Sequence, residues 1–133
     1  MLLFDFDGTL VKDFDTVYET WSRIANRFGV KLTKQKFLRK LNPDWQKVIK
    51  DYGINLENNE EWIITTFKKH YVQKVGKQRV ISELAEFLKN KKFGVITSGF
   101  SQVVISVMKN SNLKPALILS STETKNSNKT HLL

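Results

Sequence analysis

The stretch that decides the fold is Leu2-Leu3-Phe4-Asp5-Phe6-Asp7-Gly8-Thr9-Leu10, near the start of the chain. Its apolar part, residues 2–6, predicts a short buried β-strand. Residues i and i+2 of a strand point to the same side, so we expect Asp5 and Asp7 to converge where the strand runs into a glycine turn. Two like charges at one place require a cation or a shared proton. The pattern therefore predicts a site for a divalent metal, or for a nucleophile paired with a general acid.

The residues Asp5-Phe6-Asp7-Gly8-Thr9-Leu10 resemble the first signature of the haloacid dehalogenase-like hydrolase superfamily, which is Asp-x-Asp-Gly-Thr followed by Leu or Val after a hydrophobic strand. The resemblance implies that Asp5 attacks phosphorus and forms an aspartyl-phosphate. It implies that Asp7 protonates the leaving oxygen and later deprotonates water, and that Mg²⁺ lies between Asp5 and the backbone carbonyl of Asp7. An ordinary Asp-Gly turn would explain Gly8 but not the second acid. Halide displacement needs no such acid, so Asp7 favours phosphate chemistry over dehalogenation.

The composition limits the other classes of site. The chain has 133 residues, of which 41% are hydrophobic and 26% charged, as in an ordinary soluble globular protein. It has no cysteine, which excludes disulfides and thiolate metal sites, and its two histidines, His70 and His131, disfavour a His-rich zinc site. Oxygen ligands and a hard cation such as Mg²⁺ fit better. No apolar stretch is long enough to cross a bilayer, so we expect a cytoplasmic protein with no membrane partner.

The chain is basic, with 22 Lys and Arg against 13 Asp and Glu and a net charge of +9. Such a charge attracts polyanions, and it also draws phosphorylated substrates toward an active site. The basic residues are scattered and none is interleaved with aromatic residues in a nucleic-acid-binding pattern. We therefore expect solvated helix faces and a small phosphorylated metabolite as the ligand, and we keep nucleic-acid binding as the disfavoured alternative.

Four helices are predicted between the first strand and residue 76. The first follows Thr16, which resembles the start of a capping box, and stops at Gly29. Thr33 is predicted to cap the second, and Asn42-Pro43 to open the third, which stops at Gly53. The fourth starts at Asn58 or Asn59 and stops at Gly76. For the aromatic residues of this block, packing is favoured over substrate stacking; they include Trp21, Trp45, Trp62 and Phe67.

The rest of the chain alternates between helix and strand. A helix over residues 80–88 leads into an apolar strand at residues 93–96, Ser101 is predicted to cap the next helix, and residues 116–119 predict a third strand. This order implies parallel pairing. The fold class is therefore α/β, with a truncated parallel Rossmann-like sheet of about three strands. Residues 1–13 and 77–133 form the core, and residues 14–76 lie where the superfamily inserts an all-helical cap.

A second signature of the superfamily is a hydrophobic strand that ends in Thr or Ser, and residues 93–97 resemble it. The resemblance implies that Thr97 binds phosphate, with Ser98 as a possible substitute. The amides around Ser98 and Gly99, ahead of the next helix, are expected to point at the anion.

The third signature is a Lys that balances the charge of the phosphate and the nucleophile. The candidates are Lys125 and Lys129, and we prefer Lys129 because residues 129–133 resemble the start of a helix. A solvated loop lysine remains the alternative in so basic a chain.

The acidic pair that completes the magnesium site in the superfamily is missing. Magnesium would then have Asp5, a carbonyl, phosphate and water, which is a poor site. Without later strands, the first strand would be an unpaired apolar edge open to self-association or to a partner chain. We expect a fragment of a longer protein, with a partner that supplies the strands or a degenerate member as alternatives.

These patterns together predict a magnesium-dependent phosphomonoester phosphatase of the helical-cap type. A phosphoglycolate phosphatase and a sugar phosphomutase of the same cap type are not distinguished by the sequence. The rival prediction is a truncated or degenerate protein that binds phosphorylated ligands or a partner chain without turnover.

Overall fold

The computed structural model describes residues 1–42, 44–121 and 131–132. The chain divides into two compact units. One is made of Met1–Phe14 and Val72–Leu133 and contains the β-sheet, whereas the other, Asp15–Tyr71, is helical. That the helical unit serves as a cap stays a prediction.

The sheet contains the strands β1 (Leu2–Asp5), β2 (Phe93–Thr97), β3 (Leu117–Ser120) and β4 (His131–Leu132), in that spatial order. β1 pairs with β2 and β2 with β3, both in parallel, and Asp5 lies opposite Ile96. The carboxyl ends of the three parallel strands therefore meet at one edge of the sheet. This arrangement confirms the predicted α/β fold with three parallel strands.

β4 was not predicted. His131 and Leu132 pair antiparallel with Ile118 and Leu117 of β3, so the predicted helix start at residues 129–133 is wrong where the structure describes it. The outer edge of β3 offers backbone hydrogen bonds that an extended segment can use. Pro43, Lys125 and Lys129 lie outside the described residues.

Among the described residues, the sheet unit also contains the helices α5 (Ser82–Leu88) and α6 (Ser101–Asn110). α6 connects two parallel strands and buries an apolar stripe made of Val103, Val104, Val107 and Met108. Both helices were predicted. The cap assigned to Ser101 is wrong, because the helix starts one residue earlier than expected: Phe100 is the capping residue and makes no side-chain cap bond, and Ser101 is the first helical residue.

The helical unit is built from α1 (Phe14–Arg27), α2 (Lys34–Arg39), α3 (Trp45–Asp51) and α4 (Glu60–Val75), the predicted four. Thr33 caps α2 as predicted, because its side chain accepts the Lys36 amide. α1 starts before Thr16, so the capping box expected there is wrong. Asp44 caps α3, because its side chain accepts hydrogen bonds from the amides of Gln46 and Lys47. The sequence pattern had placed the start of this helix at Asn42-Pro43 and did not identify Asp44 as the cap.

The helical unit has its own apolar core, formed by Trp21, Ile24, Ala25, Leu32, Phe37, Val48, Ile49, Tyr52, Ile54 and Ile63. The rings of Trp21 and Phe67 lie 4.4 Å apart, and Trp45 packs against the same cluster. Trp62 is more exposed, and it contacts the ring of Phe28 edge-on. These aromatic residues contribute packing, as predicted.

β1 is not the buried strand that the apolar run predicted; among the described residues it has the open apolar edge that was expected if later strands are missing. Among the described residues it pairs with β2 alone, and Leu2 and Leu3 are 45% and 52% exposed. The amides of Leu2 and Phe6 donate to β2 and its preceding loop, so those of Leu3 and Asp5 face the open side of the strand. Apolar composition predicts burial only where a neighbour covers the strand. Whether a partner pairs with this edge stays a prediction.

Candidate active site

The end of β1 presents the two predicted catalytic acids. Asp5 is the last residue of the strand and is exposed, and Asp7 follows after the buried Phe6. The Phe6 amide donates to the Ile96 carbonyl at 2.9 Å, which continues the parallel ladder past Asp5. The Phe6 carbonyl accepts the amide of Leu10 at 3.0 Å, so the chain turns immediately after the strand. Asp7 lies in this turn, which places a carboxylate beside the end of the sheet.

A glycine is required after Asp7 for two reasons. Gly8 has φ = +74°, a conformation that side chains disfavour. A Cβ at this position would lie 2.6 Å from Cε2 of Phe14, which is far too close. The position thus tolerates glycine alone without a local rearrangement.

Asp13 holds the same turn, and the sequence reasoning missed it. Its Oδ1 accepts the Gly8 amide at 2.9 Å, and the residue is 1% exposed. An acid that is almost fully buried needs hydrogen-bond donors, and the Gly8 amide of the turn after β1 is one of them. The sequence signal was one of two Asp residues shortly after the motif, Asp13 and Asp15, and their spacing does not distinguish a surface acid from a buried one.

Thr97, the last residue of β2, meets Asp7. Its hydroxyl donates to Asp7 Oδ2 at 2.8 Å and accepts the Gly99 amide at 3.0 Å. Thr97 is 1% exposed. The structure therefore brings together the acid of the first signature and the hydroxyl of the second, which are 90 residues apart in the sequence.

The loop after β2 differs in detail from the prediction. The Gly99 amide was expected to point at an anion, but it donates to Thr97 instead. The Gly99 carbonyl accepts the hydroxyl of the buried Ser120, at the end of β3, which fixes the loop from the other side. Ser98 is exposed, so it is the accessible hydroxyl of this loop.

The electrostatics single out Asp5. Partial burial raises the pKa of the Asp5 carboxyl, and the negative charge of Asp7 raises it further, whereas the Phe6 amide lowers it. The second cause shows that the two acids are near enough to interact. A raised pKa disfavours the ionised form that a nucleophilic Asp5 needs, so this shift does not support the division of roles, and a cation beside Asp5 would be required to lower the pKa.

The donor chemistry of Asp5 and Asp7 suits a hard cation, because Asp5 offers carboxylate oxygens and Asp7 offers a backbone carbonyl. In the part of the chain that the structure describes, no group of three or more His, Cys, Asp or Glu side chains is gathered to hold a metal ion. Mg²⁺ requires about six oxygens, so these two residues fit part of its coordination shell. The remaining oxygens would have to come from backbone, phosphate and water.

The fold and the site define a class: an α/β protein with paired acids at the carboxyl edge of a parallel sheet, beside a buried hydroxyl on the next strand. The family model for haloacid dehalogenase-like hydrolases matches residues 2–131. The chain belongs to this family, which confirms the predicted membership. No curated protein sequence matches it.

Solved structures of similar fold include a β-phosphoglucomutase from Clostridium difficile, with a TM-score of 0.66 and 18% identity over 96% of this chain. A hydrolase from Streptococcus pneumoniae gives a TM-score of 0.55 and 15% identity over 92% of this chain. The chain spans 65% of the first structure and 66% of the second. These similarities support the fold. Separately, none of the described helices combines the length and the apolar character that a membrane span needs.

Proposed function

We propose that this chain carries the catalytic acids of a magnesium-dependent phosphomonoester phosphatase that acts on a small phosphorylated metabolite. The observation that supports the proposal most directly is the placement of Asp5 and Asp7 at the end of β1, with Asp7 bonded to Thr97 at the end of β2. Family membership supports hydrolysis or phosphoryl transfer. The net charge of +9 favours an anionic substrate.

In the proposed reaction, a carboxylate oxygen of Asp5 forms a bond to phosphorus while the bond from phosphorus to the ester oxygen breaks. Asp7 gives its proton to the departing alkoxide, which leaves as the alcohol. Asp7 then takes a proton from water, and the resulting oxygen attacks the aspartyl-phosphate. Inorganic phosphate leaves, Asp5 is again a carboxylate and Asp7 is again protonated. Magnesium, held in part by Asp5 and Asp7, would neutralise charge on the phosphoryl oxygens.

The phosphate contacts remain predictions. Ser98 is accessible at the tip of β2, and Lys125 and Lys129 lie outside the described residues. A lysine near the phosphate would lower the charge repulsion between substrate and Asp5. A phosphatase, such as a phosphoglycolate phosphatase, passes the phosphoryl group to water, whereas a mutase passes it to a second hydroxyl of a sugar phosphate. Because the fold is similar to that of a β-phosphoglucomutase, a sugar hydroxyl is kept as the alternative acceptor.

The decisive experiment measures hydrolysis of p-nitrophenyl phosphate with and without Mg²⁺, for the unchanged chain, for Asp5→Asn and for Asp51→Asn. Asp51 is an exposed acid at the end of α3 and serves as the matched control. We expect magnesium-dependent turnover that Asp5→Asn abolishes and Asp51→Asn retains. A phosphate trapped on Asp5 after acid quenching would identify the covalent intermediate.

A second candidate function is a member that binds phosphorylated ligands or a partner chain without turnover. It is favoured by the small number of carboxylates gathered at the site within the described residues. Absence of turnover in the unchanged chain, together with phosphate binding measured by calorimetry, would favour this candidate over the phosphatase.

A further inference from the structure

The peptide unit between Asp7 and Gly8 is held by a buried acid. Its N–H, which belongs to Gly8, donates to Asp13 Oδ1 at 2.9 Å, and Asp13 is 1% exposed. In a trans peptide the carbonyl points away from the N–H, and no described peptide bond is cis. The contact with Asp13 therefore also sets the direction of the carbonyl oxygen of Asp7.

A glycine at position 8 makes this direction depend on a specific contact. A peptide unit can turn over when ψ of the residue before it and φ of the residue after it rotate together. Gly8 has no Cβ to restrict its φ, which is +74° here. A turned-over peptide would direct an N–H where the Asp7 carbonyl now points. An N–H cannot bind a metal ion, so an acceptor that fixes the N–H preserves the carbonyl as a ligand.

Backbone contacts hold the path of the same turn. An isolated parallel bridge joins Asp7 to Val11, and the Phe6 carbonyl accepts the Val11 amide at 3.4 Å. These contacts return the chain to the start of α1, which comes directly after Asp13. The return places the Asp13 side chain within hydrogen-bond distance of Gly8, five positions earlier in the chain. The backbone contacts thus bring the acid to the peptide unit that it binds.

We propose that Asp13 is a positioning residue that keeps the Asp7 carbonyl directed toward Mg²⁺, without being a metal ligand itself. The proposal rests on the proposed function, in which Mg²⁺ is held in part by Asp7. It concerns the backbone of Asp7 and does not depend on the side-chain contacts of that residue. Hydrogen-bond partners that orient a metal ligand typically contribute roughly 10- to 100-fold to metal affinity, and Asp13 has this relation to the Asp7 carbonyl.

The test titrates Mg²⁺ into the metal-free chain and follows the HNCO NMR cross-peak that correlates the Asp7 carbonyl carbon with the Gly8 amide. For Asp13→Leu, which fills the buried space without an acceptor, we expect the half-saturating Mg²⁺ concentration to rise by about tenfold or more. Asp13→Asn is the matched control, because it removes the same carboxylate but keeps an accepting oxygen. It should raise the half-saturating concentration by no more than about threefold. The cross-peak comes from folded molecules only, so a loss of stability alone would not move this value.

A half-saturating concentration for Asp13→Leu within about threefold of the unchanged chain, or equal increases for Asp13→Leu and Asp13→Asn, would overturn the proposal. If Asp13→Leu does not fold, as judged by circular dichroism, Asp13→Ala takes its place. A crystal structure of the acceptor-free variant without metal decides independently: a turned Asp7 carbonyl supports the proposal, and an unchanged direction overturns it. An unchanged chain that does not respond to Mg²⁺ would refute the magnesium requirement of the proposed function, and the crystal structure would then decide the role of Asp13.

Discussion

Gly8→Ala tests the glycine turn that carries Asp7, and its cost can be separated into two parts. The first is the positive φ of +74°. A residue with a Cβ in this region costs roughly 1–2 kcal/mol, and the loss of unfolded-state freedom on replacing glycine offsets about 0.4–1 kcal/mol of that. The second part is steric, because the new Cβ would lie 2.6 Å and 2.8 Å from two ring atoms of Phe14.

The chain offers a matched control in Gly29→Ala. Gly29 has nearly the same φ, +73°, and a Cβ there meets nothing within 4 Å. We expect Gly29→Ala to lower the free energy of unfolding by about 1 kcal/mol, the backbone part alone. For Gly8→Ala the ring of Phe14 must move, and since this residue is already 47% exposed, the movement adds only about 1–2 kcal/mol. The total for Gly8→Ala is then about 2–3 kcal/mol.

The assay is urea unfolding followed by far-ultraviolet circular dichroism. Tryptophan fluorescence is unsuitable for Gly8, because the three tryptophans at positions 21, 45 and 62 all lie in the helical unit. A double-mutant cycle with Phe14→Ala isolates the steric part: in that background Gly8→Ala should cost no more than Gly29→Ala. Equal costs for the two glycine variants in the unchanged background, or an excess at Gly8 that persists without the Phe14 ring, would refute the reasoning.

Three further predictions concern other parts of the sheet unit. The pKa of the Asp5 carboxyl is raised above its ordinary value of 3.8, so the native state binds the carboxyl proton more tightly than the unfolded chain does. The free energy of unfolding therefore falls as the pH rises from 3.8 through the raised pKa of the native state. Asp5→Asn should therefore raise the thermal midpoint at neutral pH by no more than about 4 °C, with no gain below pH 3.8, as measured by calorimetry. Asp13→Ala removes the acceptor of the Gly8 amide and should lower the free energy of unfolding by roughly 1.5–3 kcal/mol, as measured by urea unfolding. Asp13→Asn retains an oxygen that can accept this hydrogen bond and should cost clearly less. Equal losses for the two variants would argue against this hydrogen bond. Leu3→Lys places a charge on the exposed edge strand β1. It should reduce the concentration-dependent self-association of the chain, as measured by sedimentation. No change would show that the edge of β1 does not pair with other copies of the chain.

The sequence contained enough information for the parts of the site that depend on local periodicity. Two acids spaced by two residues after an apolar run identified Asp5 and Asp7, and the strand ending in Thr97 was found in the same way. Their approach to each other followed from parallel pairing, which the alternation of helices and strands implies.

The remaining features depend on contacts that no local pattern contains. The exposure of β1 depends on which strand covers its second side, and the apolar composition of Leu2 and Leu3 is the same in either case. The direction of the Thr97 proton depends on the path of the loop, which brings the Gly99 amide onto the same oxygen. Asp13 is buried where the turn after Phe6 donates the Gly8 amide to it, and no local pattern indicates this contact.

The parallel register of β1 against β2 is what makes the site possible. Asp5 is opposite Ile96, so the turn that follows β1 and the last residue of β2 reach the edge of the sheet together, and Thr97 can bond to Asp7. A slip of one residue would move every β1 side chain to the other face of the sheet and separate the acid from the hydroxyl. The Thr97 contact itself opposes such a slip, because it is formed only in the observed register. The same hydrogen bond therefore both favours this pairing of the two strands and holds the proposed acid/base at the end of the sheet.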